Sequence, residues 1–239
     1  RESPRNGSTK SIASIYFAAR EAGWVWTANK DTPSDTGNSN YFVQFVAGSL
    51  RFVHDVNKWL RWSPEAHRWV FCNQGEEVEV AKACANRLLE EATKDPDEEK
   101  RKRDVKHALR TLDLPKLTAM VKLSESDHRV TMNASTLDAD PWLLGVKNGV
   151  IDLRNGTLRA ATPTDLITKQ AGTIYDDRAT CPQFEGVVRV AFQSDATLID
   201  YFQRLCGYAL CGQVREHAFF FCYGVGANGK STLLNAIQA

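Results

Sequence analysis

The residues best equipped for chemistry lie in one stretch, Gly224-Val225-Gly226-Ala227-Asn228-Gly229-Lys230-Ser231-Thr232. Its spacing fits the phosphate-loop pattern G-x-x-x-x-G-K-[ST]. Glycines at such positions let successive backbone N–H groups turn inward and form an anion-binding nest at the positive end of the following helix. Lys230 would bring a flexible point charge to the β- and γ-phosphates of a nucleotide, and the Ser231 hydroxyl would ligate Mg²⁺. Thr232 would add a further phosphate contact. Gly224, Gly226, Asn228, Gly229, Lys230, Ser231 and Thr232 are therefore the candidate nucleotide-binding residues.

The bare pattern arises by chance in about one chain in a hundred of this length at ordinary residue frequencies, so its flanks matter. Upstream, "HAFFFCYG" is an unbroken apolar run of the kind found in a parallel strand buried on both faces. Downstream, Leu233, Leu234 and Ile237 fall on one helical face. Strand, loop and helix are what the motif requires. Hydrolysis needs more: an acidic residue at the end of a second strand to hold Mg²⁺ and position water, and commonly an arginine finger. Both normally follow the loop at some distance. The chain is thus expected to be a fragment of a longer protein, in keeping with its first residue, Arg1, and to lack ATPase or helicase activity by itself.

The elements that must carry the loop are readable upstream. Residues 1–35 contain "TANKDTPSD", whose Pro, Asp, Ser and Asn content marks a linker. A helix is expected over "GNSNYFVQFVAG" with Asp35 or Thr36 as N-cap, then a strand over "LRFVHDV" and a hairpin over "KWLRWSPEAHRWVF" about its Ser-Pro turn. Ala81, Cys84, Leu88 and Ala92 recur at helical spacing within a stretch from Val78 to about Arg110 that breaks at Pro96, and another helix begins near Pro115. After Ser126 the pattern becomes strand-rich. Asn155-Gly156 between "GVIDL" and "TLRAA" predicts a hairpin. Helical patterning returns from about Cys181 to Cys211.

Composition sets the limits. The 239 residues are 43% hydrophobic and 25% charged with a formal net charge of +1, which suits a globular protein and gives no overall bias toward polyanions. No apolar run is long enough to span a bilayer and the N-terminal residues lack a signal-peptide core, so no membrane partner is expected and the reading is soluble and intracellular. The six cysteines have no CxxC spacing and are expected to be reduced and mostly buried.

Other residues attract attention for their types. Lys58, Trp59, Arg61, Trp62, Arg68 and Trp69 interleave cations with aromatics, which could stack the bases of a single DNA strand. Alternating aromatics in a hairpin more often form a packed face with solvated cations. The mixed charges of "TKDPDEEKRKRDVKH" read as a solvated helix face. Asp152, Asp165, Asp176 and Asp177 sit by turns, where Asp serves local hydrogen bonding, and the five histidines show no ligand spacing.

Several phrases in order resemble the phage and plasmid primase-helicase family, of the satellite-phage type related to the poxvirus replication ATPase. They are "SDTGNSNYFVQFVAGSLRFVHDVNKWLRWSPEAHRWV", "ADPWLLGVKNGVIDLRNGTL", "PTDLITKQAGTIYDDRATCPQFEGVV" and "DYFQRLCGYALCGQVREHAFFFCYGVGANGKST". Ala139-Asp140 stands where the family has an Asn-like position. "IASIYFAAREAGW" is similar, more faintly, to the tail of a primase-associated module.

The resemblance implies a superfamily 3 helicase: a ring, usually hexameric, that moves along DNA using ATP and Mg²⁺, joined to an upstream primase in the cytoplasm of a bacterial host or a virus-infected cell. The implied fold is an α+β helicase-associated domain, residues 36–212, followed over 213–239 by the first strand, loop and helix of a truncated α/β, AAA+-like P-loop NTPase core. Phosphate-binding roles carry over to Gly229, Lys230, Ser231 and Thr232. Two other readings stay open on the residues themselves: a P-loop kinase with a long N-terminal extension, and a non-enzymatic DNA-docking or oligomerisation module.

Overall fold

The computed structural model describes residues 33–224 and 229–238. Residues 1–32 of the linker expected over residues 1–35, and the loop residues Gly226 and Asn228, lie outside the described residues.

Helix α1 (Asp35–Phe45) begins one or two residues earlier than a cap at Asp35 or Thr36 would give, because Ser34 is the residue in extended conformation and its hydroxyl accepts the Gly37 N–H at 3.0 Å. Asp35, read as a cap, instead sits in the first turn and pairs with Lys116 at 2.9 Å. The break at Pro96 separates α2 (Glu76–Thr93) from α3 (Glu98–Thr111). Asp97 caps α3, accepting the Glu99 and Lys100 N–H groups at 3.0 Å each. Helix α4 (Leu114–Ser124) carries Pro115 in its first turn, where the missing N–H costs nothing. The charged run is solvated as expected, with Lys102 paired to Glu98 one turn away at 2.7 Å.

Helices α1, α2 and α4 cover one face of a mixed four-stranded sheet of order β3-β2-β1-β4, and α3 packs on α2. Its strands are β1 (Leu50–Val53), β2 (Lys58–Ser63), β3 (Arg68–Phe71) and β4 (Thr131–Met132), the last parallel to β1. The strand expected through "LRFVHDV" ends at Val53, and a 3-10 turn over His54–Val56 leads into the left-handed Asn57. Strand alternation sorts the side chains. Leu50, Phe52 and Trp59 meet Phe42, Cys84 and Met120 in the main core, while Val53, Leu60 and Trp69 form a second cluster with Trp62, Met132 and Leu137. Burying Phe42 alone contributes about 2–3 kcal/mol.

A separate antiparallel sheet has the order β5-β6-β7: β5 (Leu143–Val146), β6 (Gly149–Asp152) and β7 (Thr157–Arg159). The Asn155-Gly156 hairpin forms, with Asp152 opposite Thr157 and a loop over residues 153–156. Only Gly156 of that dipeptide is left-handed, at φ 70°, and its N–H donates to Asp152 O at 2.8 Å.

Residues 163–173 run as a strap that closes the gap between the sheets. Trp69 N–H donates to Ile167 O at 2.8 Å, covering the β3 edge, and Ala171 N–H donates to Gly145 O at 2.9 Å, covering β5. The strap passes so close that a Cβ on Gly145 would stand 2.6 Å from Lys169 O.

The chain then forms α5 (Pro182–Ala191), α6 (Ala196–Leu210) and α7 (Lys230–Gln238). The strand expected over "HAFFFCYG" is not formed. Residues 217–224 have no regular structure, and Phe219 and Tyr223 are 86% and 84% exposed. A parallel strand takes its hydrogen bonds from neighbours, and among the described residues no strand lies beside this one. The described architecture is therefore α+β, without the first strand of an α/β core.

The cysteines also depart from expectation. All six are free, yet only Cys84 is buried; Cys181 and Cys222 are exposed and the others half-buried. The two exposed cysteines sit at the N-cap of α5 and in the irregular segment at 217–224. Among the described residues no helix is long and apolar enough to cross a membrane.

Candidate functional site

Of the candidate nucleotide-binding residues, Gly229, Lys230, Ser231 and Thr232 stand at the N-terminus of α7. Gly229 has φ 79°, a left-handed conformation that costs other residues about 1–2 kcal/mol, and its carbonyl accepts the Leu233 N–H at 3.0 Å to open the helix. Leu233 is buried and α7 packs against α5, with Val187 Cγ1 facing Gly229. Lys230 Nζ donates to Gly224 O at 3.2 Å, so the lysine spans the loop from its far end back to its first glycine. Ser231 and Thr232 are exposed in the first turn, where backbone N–H groups have no intrahelical acceptor. Lys230, Ser231 and Thr232 thus lie together in the first turn of α7, residue types that would suit a Mg²⁺-bound polyphosphate.

The segment entering the loop is anchored on the second sheet. Gly212 N–H donates to Pro141 O at 3.0 Å, and the guanidinium carbons of Arg154 and Arg215 lie 5.9 and 5.8 Å from the Trp142 ring. Tyr208 Oη accepts the N–H groups of Arg215 and Glu216 at 2.9 and 3.1 Å. Arg154 also pairs with Asp140 at 3.0 Å, and the Trp142 N–H, followed by that pairing, holds the Asp140 carboxyl below its ordinary range.

The basic and aromatic residues of the β2-β3 hairpin are placed on both faces of the sheet. Trp59 is 5% exposed in the main core and Trp69 is 1% exposed in the other cluster, its indole N–H donating to Pro163 O at 2.9 Å. Arg61 pairs with Glu76 at 3.1 Å and Arg68 Nη1 donates to Thr168 O at 2.6 Å. Trp62 is half-buried, edge-on to Trp69 at 5.9 Å, and Lys58 lies over Phe71 at 5.8 Å. The hairpin brings Trp62 and Lys58 to one face but does not align the three tryptophans.

Asp152, Asp165 and Asp176 serve their own turns, accepting the N–H groups of Arg154 at 3.0 Å, Thr162 at 2.7 Å and Arg178 at 2.9 Å. Among the described residues no three His, Cys, Asp or Glu side chains gather as a metal site.

One concave surface escaped the sequence reading. An open groove of about 730 Å³ lies between β1, β4 and the start of the strap, lined by Arg51, His54, His128, Arg129, Asn133 and Thr164 among others. Parallel pairing of Phe52 with Thr131 is what brings residues near 51 beside residues near 129. No local signal could reveal it, since the two basic pairs are far apart in sequence and the total charge is balanced.

A family profile described as D5 N terminal like matches residues 39–193, from within α1 to just beyond α5 and short of the phosphate loop. A protein of Acanthamoeba polyphaga mimivirus whose name reads "Putative helicase" is 32% identical over 106 residues, covering 43% of this chain and 11% of the relative. The chain thus spans a small part of that relative's length. The profile spans both sheets and the helices packed on them, and on that ground the chain belongs to the D5 N terminal like family of phage and viral primase-helicases.

Proposed function

We propose that the chain is the helicase-associated part of an ATP-dependent replicative DNA helicase, joined to the loop that binds the ATP phosphates. The observation that carries this reading is the convergence of Gly229, Lys230 and Ser231 at the start of α7, with α7 packed on α5 of the family domain. ATP would supply the free energy for moving along DNA, with Mg²⁺ neutralising its phosphate charge. Within this chain the roles are binding ones. Lys230 would hold the β- and γ-phosphates, Ser231 would ligate the metal ion, and the α7 N–H groups and Thr232 would orient the phosphate chain. The full-length protein is proposed to assemble with further copies of itself into a ring, usually hexameric in this family, and to work beside a primase.

Affinity in this chain is expected to be modest. The aromatic residues ahead of the loop are exposed rather than packed in a sheet, so they give it no buried strand to rest on. The test is titration of a fluorescent ATP analogue with Mg²⁺ into the wild-type chain and Lys230→Ala. Saturable binding that weakens about tenfold or more in the variant is expected, the loss of one charge-assisted phosphate contact. Equal binding by the two proteins would remove the loop from the function.

A further inference from the structure

We infer that the groove between β1, β4 and the strap is a docking surface for the phosphate backbone of nucleic acid; the choice of partner rests on the proposed function. Arg51 is its fixed cation. The side chain is half-buried, its guanidinium lies 6.0 Å from the centre of the Trp69 ring, and Nη1 donates to Arg129 O at 3.0 Å and Leu50 O at 3.4 Å. Those bonds use Nη1 alone, and a guanidinium carries five N–H donors, so Nε and Nη2 remain for a ligand. A guanidinium held by a buried indole and two carbonyls loses little further entropy when it binds a phosphate.

The groove wall is free of opposing charge. No lining residue is a carboxylate. The nearby acids are occupied elsewhere: Asp55 accepts the Ala134 N–H at 2.6 Å, Asp127 pairs with Arg129 at 2.6 Å, and Asp165 pairs with Arg159 at 2.7 Å. Burial pushes the Asp127 carboxyl up, but the hydrogen bonds from Arg129 outweigh it and hold the group below its ordinary range. Arg129 is therefore partly neutralised, and Arg51 is the principal charge. Exposed His54, His128, Asn133, Thr136 and Thr164 spread polar groups over three segments around it, the two threonine hydroxyls already donating to Asn133 O and Thr162 Oγ1 at 2.7 and 2.8 Å. Polar groups dispersed along an open groove suit successive phosphates better than one small anion, and such contacts position a strand without reading its sequence.

The test uses the full chain, without nucleotide or Mg²⁺, and follows the fluorescence anisotropy of labelled single-stranded and duplex DNA. Thr136→Glu combined with Thr164→Glu inserts two negative charges at exposed positions and is expected to weaken binding about tenfold or more at low salt, since like charges in an interface are strongly unfavourable. Arg51→Gln should reduce the slope of log affinity against log salt by about 0.9 for duplex and about 0.7 for single strands, one phosphate contact's worth. Thr164→Lys should tighten binding. A doubly acidic variant that melts like the wild type and binds DNA equally well would overturn the inference, as would a wild-type chain that binds neither form of DNA. Nucleotide titration of the same proteins reports on the phosphate loop separately, so failure of the groove and failure of the loop are told apart.

Discussion

Lys230 Nζ reaches back to Gly224 O, 3.2 Å away, and thereby ties the first glycine of the proposed phosphate loop to the helix that follows it. Lys230→Arg keeps the charge but replaces a compact point charge by a wide planar fork. Nucleotide affinity of Lys230→Arg is expected to stay several-fold or more below wild type, close to Lys230→Ala. Calorimetric titration measures it, and full affinity in the Arg variant would mean that charge alone suffices.

Ser231 offers its hydroxyl in the exposed first turn of α7. If its role is metal ligation, Ser231→Ala should remove most of the strengthening of nucleotide binding by Mg²⁺ while leaving metal-free binding within about twofold, since only one neutral ligand is lost. Titrations with Mg²⁺ and with EDTA separate the two. Unchanged Mg²⁺ dependence would assign the metal elsewhere.

Gly145 lies where the strap crosses the second sheet, and an added Cβ would meet Lys169 O at 2.6 Å. Backbone cannot swing aside as a flexible side chain can. Gly145→Ala should therefore displace the strap, strain the Ala171 N–H to Gly145 O bond and destabilise the chain by about 1–3 kcal/mol. Thermal unfolding followed by circular dichroism tests this, with an unshifted midpoint as the contrary result.

His107 Nε2 donates to Asn38 Oδ1 at 2.8 Å, and Asn38 Nδ2 donates to Thr111 Oγ1 at 3.1 Å. Burial pushes the imidazole below its ordinary range. The unfolded chain then binds the proton more readily than the folded one. The neutral imidazole's contribution to stability is thus complete above about pH 6.5, the unperturbed histidine value, and is lost as pH falls from there through the folded value. The melting midpoint should decline across that window, and His107→Gln should decline less. Parallel curves for the two proteins would place the pH sensitivity in other groups.

Cys84 is buried within the main core, and burial pushes its thiol up to about 12. Cys181 and Cys222 are exposed. A disulfide reagent at neutral pH should modify Cys181 and Cys222 first and reach Cys84 only on unfolding, which mass spectrometry of peptides can follow. Labelling of Cys84 at the rate of Cys222 would mean that the core opens readily.

The local sequence by itself determined the helices and the two hairpins, because each depends on neighbours in the chain. Helical spacing of Ala81, Cys84, Leu88 and Ala92, the break at Pro96 and the turn at Gly156 act over a few residues. Exposure was less readable: Trp59 and Trp69 share a hairpin with Lys58 and Arg61, yet opposite sheet faces send them to separate clusters. What only the tertiary structure decided is long-range. The parallel β1-β4 pairing brings Arg51 beside Arg129, and the strap joins two sheets through Ile167 and Gly145. The apolar run at 217–224 shows the same dependence in reverse, since an apolar strand pattern becomes a strand only where another strand stands ready to take its hydrogen bonds.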